Sequence, residues 1–211
     1  MTVRAPRQVV SDTSRASLFW GFHEAQEIRF VHSHLPANSD VVELGASLGV
    51  VSAHIARKLE SGRRLICVEA NPQLAASLRQ TVLHNAPGAE VEVIQAAIDY
   101  SGNDAVPFSI TSDVLTSHIA EDGAQAVHVP AITLAEVLNR HHIGRLSLVC
   151  DIEGAEAQLL AQDSAALKGC ETMIIELHAT REASVNELKS RLAGLGFITR
   201  AERGPVLVLT K

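Results

Sequence analysis

The sequence predicts an α/β domain built on a mostly parallel, Rossmann-like sheet with helices on both faces. Three observations predict it. Short apolar runs alternate with segments of helical spacing, and the first run ends in a glycine-containing turn that opens a helix. The last two runs, at 197–200 and 206–209, are separated only by a turn at Arg203, Gly204 and Pro205. Two strands so closely joined must run antiparallel, because a parallel pair needs a crossover, so the sheet should end in an antiparallel strand. At 211 residues and 46% hydrophobic, the chain is long enough for one domain with a substantial core. Residues 1–36 read as a helical segment packing onto a domain that spans 37–211.

Each element has its own signal. Between residues 14 and 35, Leu18, Phe22, Ala25, Ile28, Val31 and Leu35 recur three or four apart, which predicts an amphipathic helix ending near Pro36. Preceding the first strand, it should lie over the edge or mouth of the sheet, where Trp20, Phe22 and Glu24 can close over a ligand. Residues 41–44 form the first strand and 50–59 its helix; 64–69 form the second. Asn71 and Pro72 are an N-cap and a first-turn proline ahead of a helix carrying Leu74, Leu78 and Val82. Strands follow at 91–98, 146–152 and 172–177, with a helix at 154–167. Ser184 and Glu187 make a capping box before a helix with Leu188, Leu192 and Leu195. The span 100–131, with Gly102, Pro107, Gly123 and Pro130, reads as an insertion beside the active-site mouth, with strand-like pieces at 106–110 and 127–129.

Composition narrows the partners. Eighteen Lys and Arg against 24 Asp and Glu give a net charge of −6, which provides no basic track for nucleic acid. No apolar run approaches the length of a membrane span, and residues 1–17 are polar, with Arg4, Arg7 and Arg15, so a cytoplasmic location is expected. Cys67, Cys150 and Cys170 form no CxxC pair and read as buried thiols. His32, His34, His141 and His142 lack metal-site spacing and read as solvated or capping residues.

The glycine turn discriminates between ligands. A dinucleotide fingerprint starting at Gly45 would need further glycines where Ser47 and Val50 stand, and no Walker lysine follows. What the turn does carry is Glu43 two residues ahead of Gly45, and Gly49 four residues after it. A carboxylate there suits an ammonium group and repels a diphosphate. The second strand ends at Glu69, placed to accept both hydroxyls of a ribose. A cationic amino-acid end together with a ribose describes S-adenosylmethionine.

From about residue 19 to 177 the chain resembles the FkbM-type S-adenosylmethionine-dependent methyltransferases. The resemblance rests on Glu43-Leu-Gly-Ala-Ser-Leu-Gly49, on Val68-Glu-Ala-Asn-Pro72, on Ala97 with Gly102, and on Ile132-Thr-Leu134. Its most specific element is Asp151-Ile-Glu-Gly-Ala-Glu156, similar to the family's D-[VI]-E-G-x-E signature. The resemblance implies a seven-stranded methyltransferase sheet and methylation of hydroxyls on sugars or secondary metabolites. Glu43, Gly45, Ala46, Ser47, Gly49, Glu69, Ala70, Ala97, Ile98 and Asp151 are the expected cofactor-binding residues. Many family members carry lysine where this chain has Cys150, so a step relying on that lysine would differ here.

Methyl transfer to an alcohol needs a partner to take the hydroxyl proton. Asp151, Glu153, Glu176 and His178 end two strands at the edge where open α/β sheets bind ligands. His178, with an ordinary pKa near neutrality, is the expected base, with Glu153 as a second catalytic candidate. Glu156 is expected to serve its helix N-terminus. Two carboxylates and a histidine there suit a divalent metal, although no spacing demands one. The alternative is a non-catalytic domain of the same fold that binds a nucleoside or a protein partner.

Overall fold

The computed structural model describes residues 1–3, 24–110, 118–119 and 126–211, with backbone alone for 118–119. Trp20 and Phe22, and the first half of the expected N-terminal helix, lie outside the described residues. Helix α1 (Ala25–His34) is the described part of it.

The main sheet takes strands from along the chain. These are β1 (Val41–Leu44), β2 (Arg64–Glu69), β3 (Glu90–Gln95), β8 (Leu146–Cys150), β9 (Cys170–Glu176), β10 (Ile198–Arg203) and β11 (Val206–Thr210). Their order is β10-β11-β9-β8-β1-β2-β3. The pairs β1–β2, β2–β3, β1–β8 and β8–β9 are parallel, whereas β11 is antiparallel to both β9 and β10. The seven-stranded sheet and its antiparallel C-terminal strand therefore match the sequence expectation.

Every residue of β1 and β8 is buried, because helices cover both faces. On one face, Val41, Leu65, Cys67 and Val149 pack beneath α1, α2 (Val50–Lys58) and α3 (Pro72–Asn85) through Phe30, Val31, Ile55, Leu78 and Val82. On the other, Val42, Leu44, Ile66, Val68 and Leu148 meet α4 (Leu134–His141), α5 (Glu156–Gln162) and α6 (Val185–Gly194) through Val137, Leu159, Leu188 and Leu192. The described part of helix α1 covers a sheet face against α2, β9 and β11, with Glu27 reaching Glu176 at the C-terminal end of β9.

Helix ends follow the sequence signals. Asn71 accepts from the Gln73 amide with Pro72 in the first turn, and Ser184 with Glu187 forms a complete capping box. A second capping box, Thr133 with Glu136, was not anticipated. His142 caps α4 in the left-handed conformation, as a capping histidine should. His32 instead places Nε2 2.9 Å from Nδ1 of His54. All three cysteines are free and buried.

Two expected elements are split. The strand expected at 91–98 breaks at Ala96, whose amide donates to the Glu69 carbonyl at 3.1 Å. The piece beyond it, β4 (Ala97–Ile98), leaves the main sheet and pairs with β7 (Ala126–Ile132). With β5 (Ala105–Ser109) and β6 (His118–Ile119) these make a four-stranded side sheet. The helix expected at 154–167 stops at Gln162, where Asp163 is its C-cap, and resumes as a 3-10 turn at Ala166–Gly169. Asp163 accepts from the Tyr100 hydroxyl at 2.7 Å and the Ala135 amide at 3.0 Å, so the break ties three segments together. No described helix is long and apolar enough to cross a membrane.

Candidate active site

The strand order reverses between β1 and β8, so their C-terminal ends leave a crevice at a topological switch point. The glycine turn follows β1 and the Asp151-to-Glu156 segment follows β8, which brings the two sequence motifs together across it.

Gly45 is required by that meeting. Its φ is +82°, and a Cβ there would sit 1.6 Å from the Asp151 carbonyl oxygen. Gly49, φ +78°, opens α2 and would place a Cβ 2.7 Å from Leu78 Cδ1. Both glycines make room for protein rather than for a ligand. The Gly45 and Ala46 amides donate to the Val68 carbonyl at 2.9 and 3.2 Å, closing the turn onto β2. Ser47 adopts a φ of +50°, a conformation uncommon for a residue with a side chain.

The two expected acids take different positions. Glu43 is 3% exposed and turns inward: Ser52 Oγ donates to its Oε2 at 2.5 Å and Cys67 Sγ approaches the same atom at 3.4 Å. Burial pushes its pKa up to about 8. Glu69 caps the turn instead. Its Oε2 accepts from the Ser47 amide at 2.8 Å and its Oε1 from the Asn71 amide at 2.7 Å. Burial raises its pKa only to about 6, because these two amides favour the carboxylate. Each oxygen keeps lone-pair capacity beyond its one amide.

Ala70 follows Glu69 and its carbonyl accepts from Gln95 Nε2 at 3.1 Å. Ala97 and Ile98 are buried in two different apolar clusters, the first with Val106, Phe108 and Val129, the second in the main core. Ile110, just past β5, packs against the Leu48, Val50 and Leu74 cluster, and both it and Ala70 pack against the cluster of Ala97, Val106, Phe108 and Val129. Through Ile110, the described part of the insertion therefore stands beside the glycine turn.

Across the crevice, His178 is the hub of four carboxylates. Its Nδ1 lies 3.0 Å from Glu156 Oε1, while its Nε2 lies 3.5 Å from Glu176 Oε1, 3.6 Å from Glu153 Oε2 and 3.9 Å from Asp151 Oδ1. The hydrogen-bonded Glu156 and Glu176 push its pKa up to about 11, against the cost of burial. These acids therefore move the His178 ring away from the near-neutral value of an isolated imidazole and toward its charged form. Burial, with Glu176 and Glu153, pushes Asp151 up to about 8.

Glu156 does serve the helix start, accepting from the Ile152 and Gly154 amides at 3.3 Å each, but it is fully buried and orients the His178 ring as well. Glu153 holds a φ of +50° in the turn between them. Sequence reasoning missed Glu27. It shares a hydrogen bond with Glu176, and burial with that bond pushes its pKa up to about 8. Its sequence signal was available, since Glu27, Phe30 and Val31 share the buried stripe of α1. Cys150, at the position of the family lysine, is 1% exposed in the main core.

Fold and crevice together define a Rossmann-like methyltransferase architecture. The family model described as the methyltransferase FkbM domain matches residues 43–199, and the chain belongs to that family. Among solved structures, the chain is similar to magnesium protoporphyrin IX methyltransferase from Synechocystis PCC 6803 with bound SAH. The identity is 12%, the coverage 98% of this chain and 90% of that one, and the TM-score 0.57. It is similar to Aeropyrum pernix fibrillarin in complex with natively bound S-adenosyl-L-methionine at 14% identity, 89% and 74% coverage and TM-score 0.53. A third is precorrin-6y C5,15-methyltransferase from Geobacter metallireducens GS-15, at 13% identity, 99% and 91% coverage and TM-score 0.52. No curated protein matches the chain in sequence.

Proposed function

We propose that the chain uses S-adenosylmethionine to methylate a hydroxyl oxygen of a small molecule. The observation that carries this reading is Glu69, a carboxylate ending β2 and bonded directly to the Ser47 amide of the turn at the switch point. Two solved proteins of this architecture hold the cofactor or its product, SAM in one and SAH in the other. That cofactor supplies an already activated methyl group, so the protein's work is positioning and charge.

In this reading Glu69 takes the ribose hydroxyls, and Gly45, Ala46, Ser47 and Gly49 shape the turn around the amino-acid end. Glu43 supports that turn from beneath through Ser52. Ala70 stands beside the nucleoside, and the strand leading to Ala97 and Ile98 closes that side. Asp151, Glu153 and His178 face the acceptor, which enters between α1 and the side sheet. Cys150 takes no part, so a lysine-dependent step does not operate. Small-molecule acceptors fit an acidic chain of net charge −6, whose surface repels nucleic acid.

The test is calorimetry with S-adenosylhomocysteine on the full chain. Binding is expected, and Glu69→Ala should weaken it at least about tenfold, as loss of charge-assisted hydrogen bonds does. No binding at millimolar ligand refutes the cofactor assignment. Turnover confined to amines in a mixed acceptor panel refutes the hydroxyl assignment alone.

A further inference from the structure

We propose that Asp151, Glu156 and His178 form a divalent-cation site on the acceptor side of the crevice, selecting Mn²⁺ or Zn²⁺ over Mg²⁺. The proposal rests on the reading of this crevice as a methyltransferase site, and extends it by a metal that the reading does not require.

Geometry comes first. One ligand atom from each of the three residues lies within 4.8 Å of the others. Ligands of a divalent ion stand about 2.0–2.4 Å from it, so two atoms sharing one ion can be as much as about 4.8 Å apart. The three residues meet that bound before any side chain moves.

A second, independent observation comes from unpartnered oxygens. Among the described residues, Asp151 Oδ1 and Glu156 Oε2 are buried and have no hydrogen-bond partner. Glu156 is fully buried, and its other oxygen already holds His178 Nδ1 at 3.0 Å. A buried carboxylate oxygen without a partner is costly, and two in one cluster ask for a cation. Glu176 and Glu153, 3.5 and 3.6 Å from His178 Nε2, add negative charge at the rim. Four acid side chains thus surround the one imidazole, whose Nε2 and Nδ1 are the nitrogen donors of the cluster.

The donor set gives the selectivity. An imidazole with two carboxylates favours Mn²⁺ or Zn²⁺, whereas Mg²⁺ prefers oxygen ligands and keeps its waters. A cation beside the acceptor would lower the pKa of a bound hydroxyl.

The experiment titrates the full chain, stripped by chelator, with MnCl₂ alone, followed by calorimetry and electron paramagnetic resonance. One Mn²⁺ per chain is expected, with MgCl₂ at least tenfold weaker. Asp151→Asn and His178→Gln should each weaken Mn²⁺ at least tenfold, and Glu90→Gln, an exposed acid elsewhere, should not. Because Glu156→Gln risks misfolding, wild-type protein supplies a variant-free check: Mn²⁺ should selectively broaden the His178 imidazole ¹⁵N resonances. Absence of saturable Mn²⁺ binding overturns the site, as does binding that survives Asp151→Asn or leaves His178 unbroadened. The same samples are titrated with S-adenosylhomocysteine. Nucleoside binding without Mn²⁺ binding sinks only the metal site; Mn²⁺ binding without nucleoside binding sinks only the cofactor reading.

Discussion

Two glycines with nearly the same backbone and very different surroundings allow a matched perturbation. Gly45 has φ +82° and Gly62 has φ +81°. Alanine at either position carries a left-handed penalty of about 1–2 kcal/mol. At Gly62 nothing lies within 4 Å of the added Cβ, so that penalty is the whole effect. At Gly45 the Cβ would meet the Asp151 carbonyl oxygen at 1.6 Å and its carbon at 2.7 Å, so the carbonyl must retreat by about 2 Å to reach an ordinary contact. The retreat pulls on the Asp151 amide, which donates to Leu44 O at 2.9 Å and holds the end of β8 to β1. Overpacking costs about 1–3 kcal/mol and the strained hydrogen bond about 1 kcal/mol. Gly45→Ala should therefore exceed Gly62→Ala by about 2–4 kcal/mol in urea unfolding, and should also lose S-adenosylhomocysteine binding while still folded. Equal costs for the two variants would refute the claim that the motif glycine exists to let the two strand ends meet.

Glu43→Gln should become progressively more stable than wild type between pH 5 and pH 9, as read by urea midpoints. The folded pKa of about 8 lies above the ordinary 4.5, so wild type keeps its stability below pH 4.5 and loses it as pH rises through 8, with a ceiling of about 5 kcal/mol; a flat difference across that range would contradict the inward-facing acid. Tyr100→Phe should cost about 1–2 kcal/mol, because Asp163 would keep only the Ala135 amide on Oδ2, and a variant as stable as wild type would show that the Tyr100 bond contributes nothing.

Most of the fold was legible because its central strands β1, β2, β8 and β9 are largely apolar and several helix ends carry capping chemistry. Residues 65–68 are an uninterrupted apolar run and 41–44 are broken only by Glu43, and Asn71, Pro72, Ser184 and Glu187 punctuate as isolated peptides would. The break at Ala96 was not legible. The apolar run continues across it, and only pairing with β7, a strand more than 30 residues on, draws Ala97 and Ile98 out of the main sheet. The Asp163 break has the same character, since its partners Tyr100 and Ala135 come from distant segments. In the site, the identity of the acidic residues was readable but their ionisation was not. The ordinary pKa of histidine belongs to an isolated ring, whereas His178 answers to carboxylates from the β8–α5 segment and from β9. Glu27 reaches that field from a third element, so no local window of sequence contains the sum.

The division of labour between Glu43 and Glu69 follows from the pleat of the sheet. Glu43 is in register with Cys67, so the two side chains share one face, and Glu69, two residues further along β2, shares it as well. All three point toward the side covered by α2. The difference is height along the strands. Glu43 lies one residue short of the end of β1, beneath the first turn of α2, where Ser52 closes over it. Glu69 is the last residue of β2, level with the glycine turn, and meets the Ser47 amide. The lower acid is sealed from water and holds its proton at pH 7, with a pKa of about 8; the upper one, at about 6, is ionised there. The negative charge this pair offers to a ligand at neutral pH therefore comes from β2, even though the acid of the glycine motif is the one the sequence displays first. In the proposed reading, a cationic ligand at the turn is drawn by Glu69, while Glu43 sets the shape of the turn.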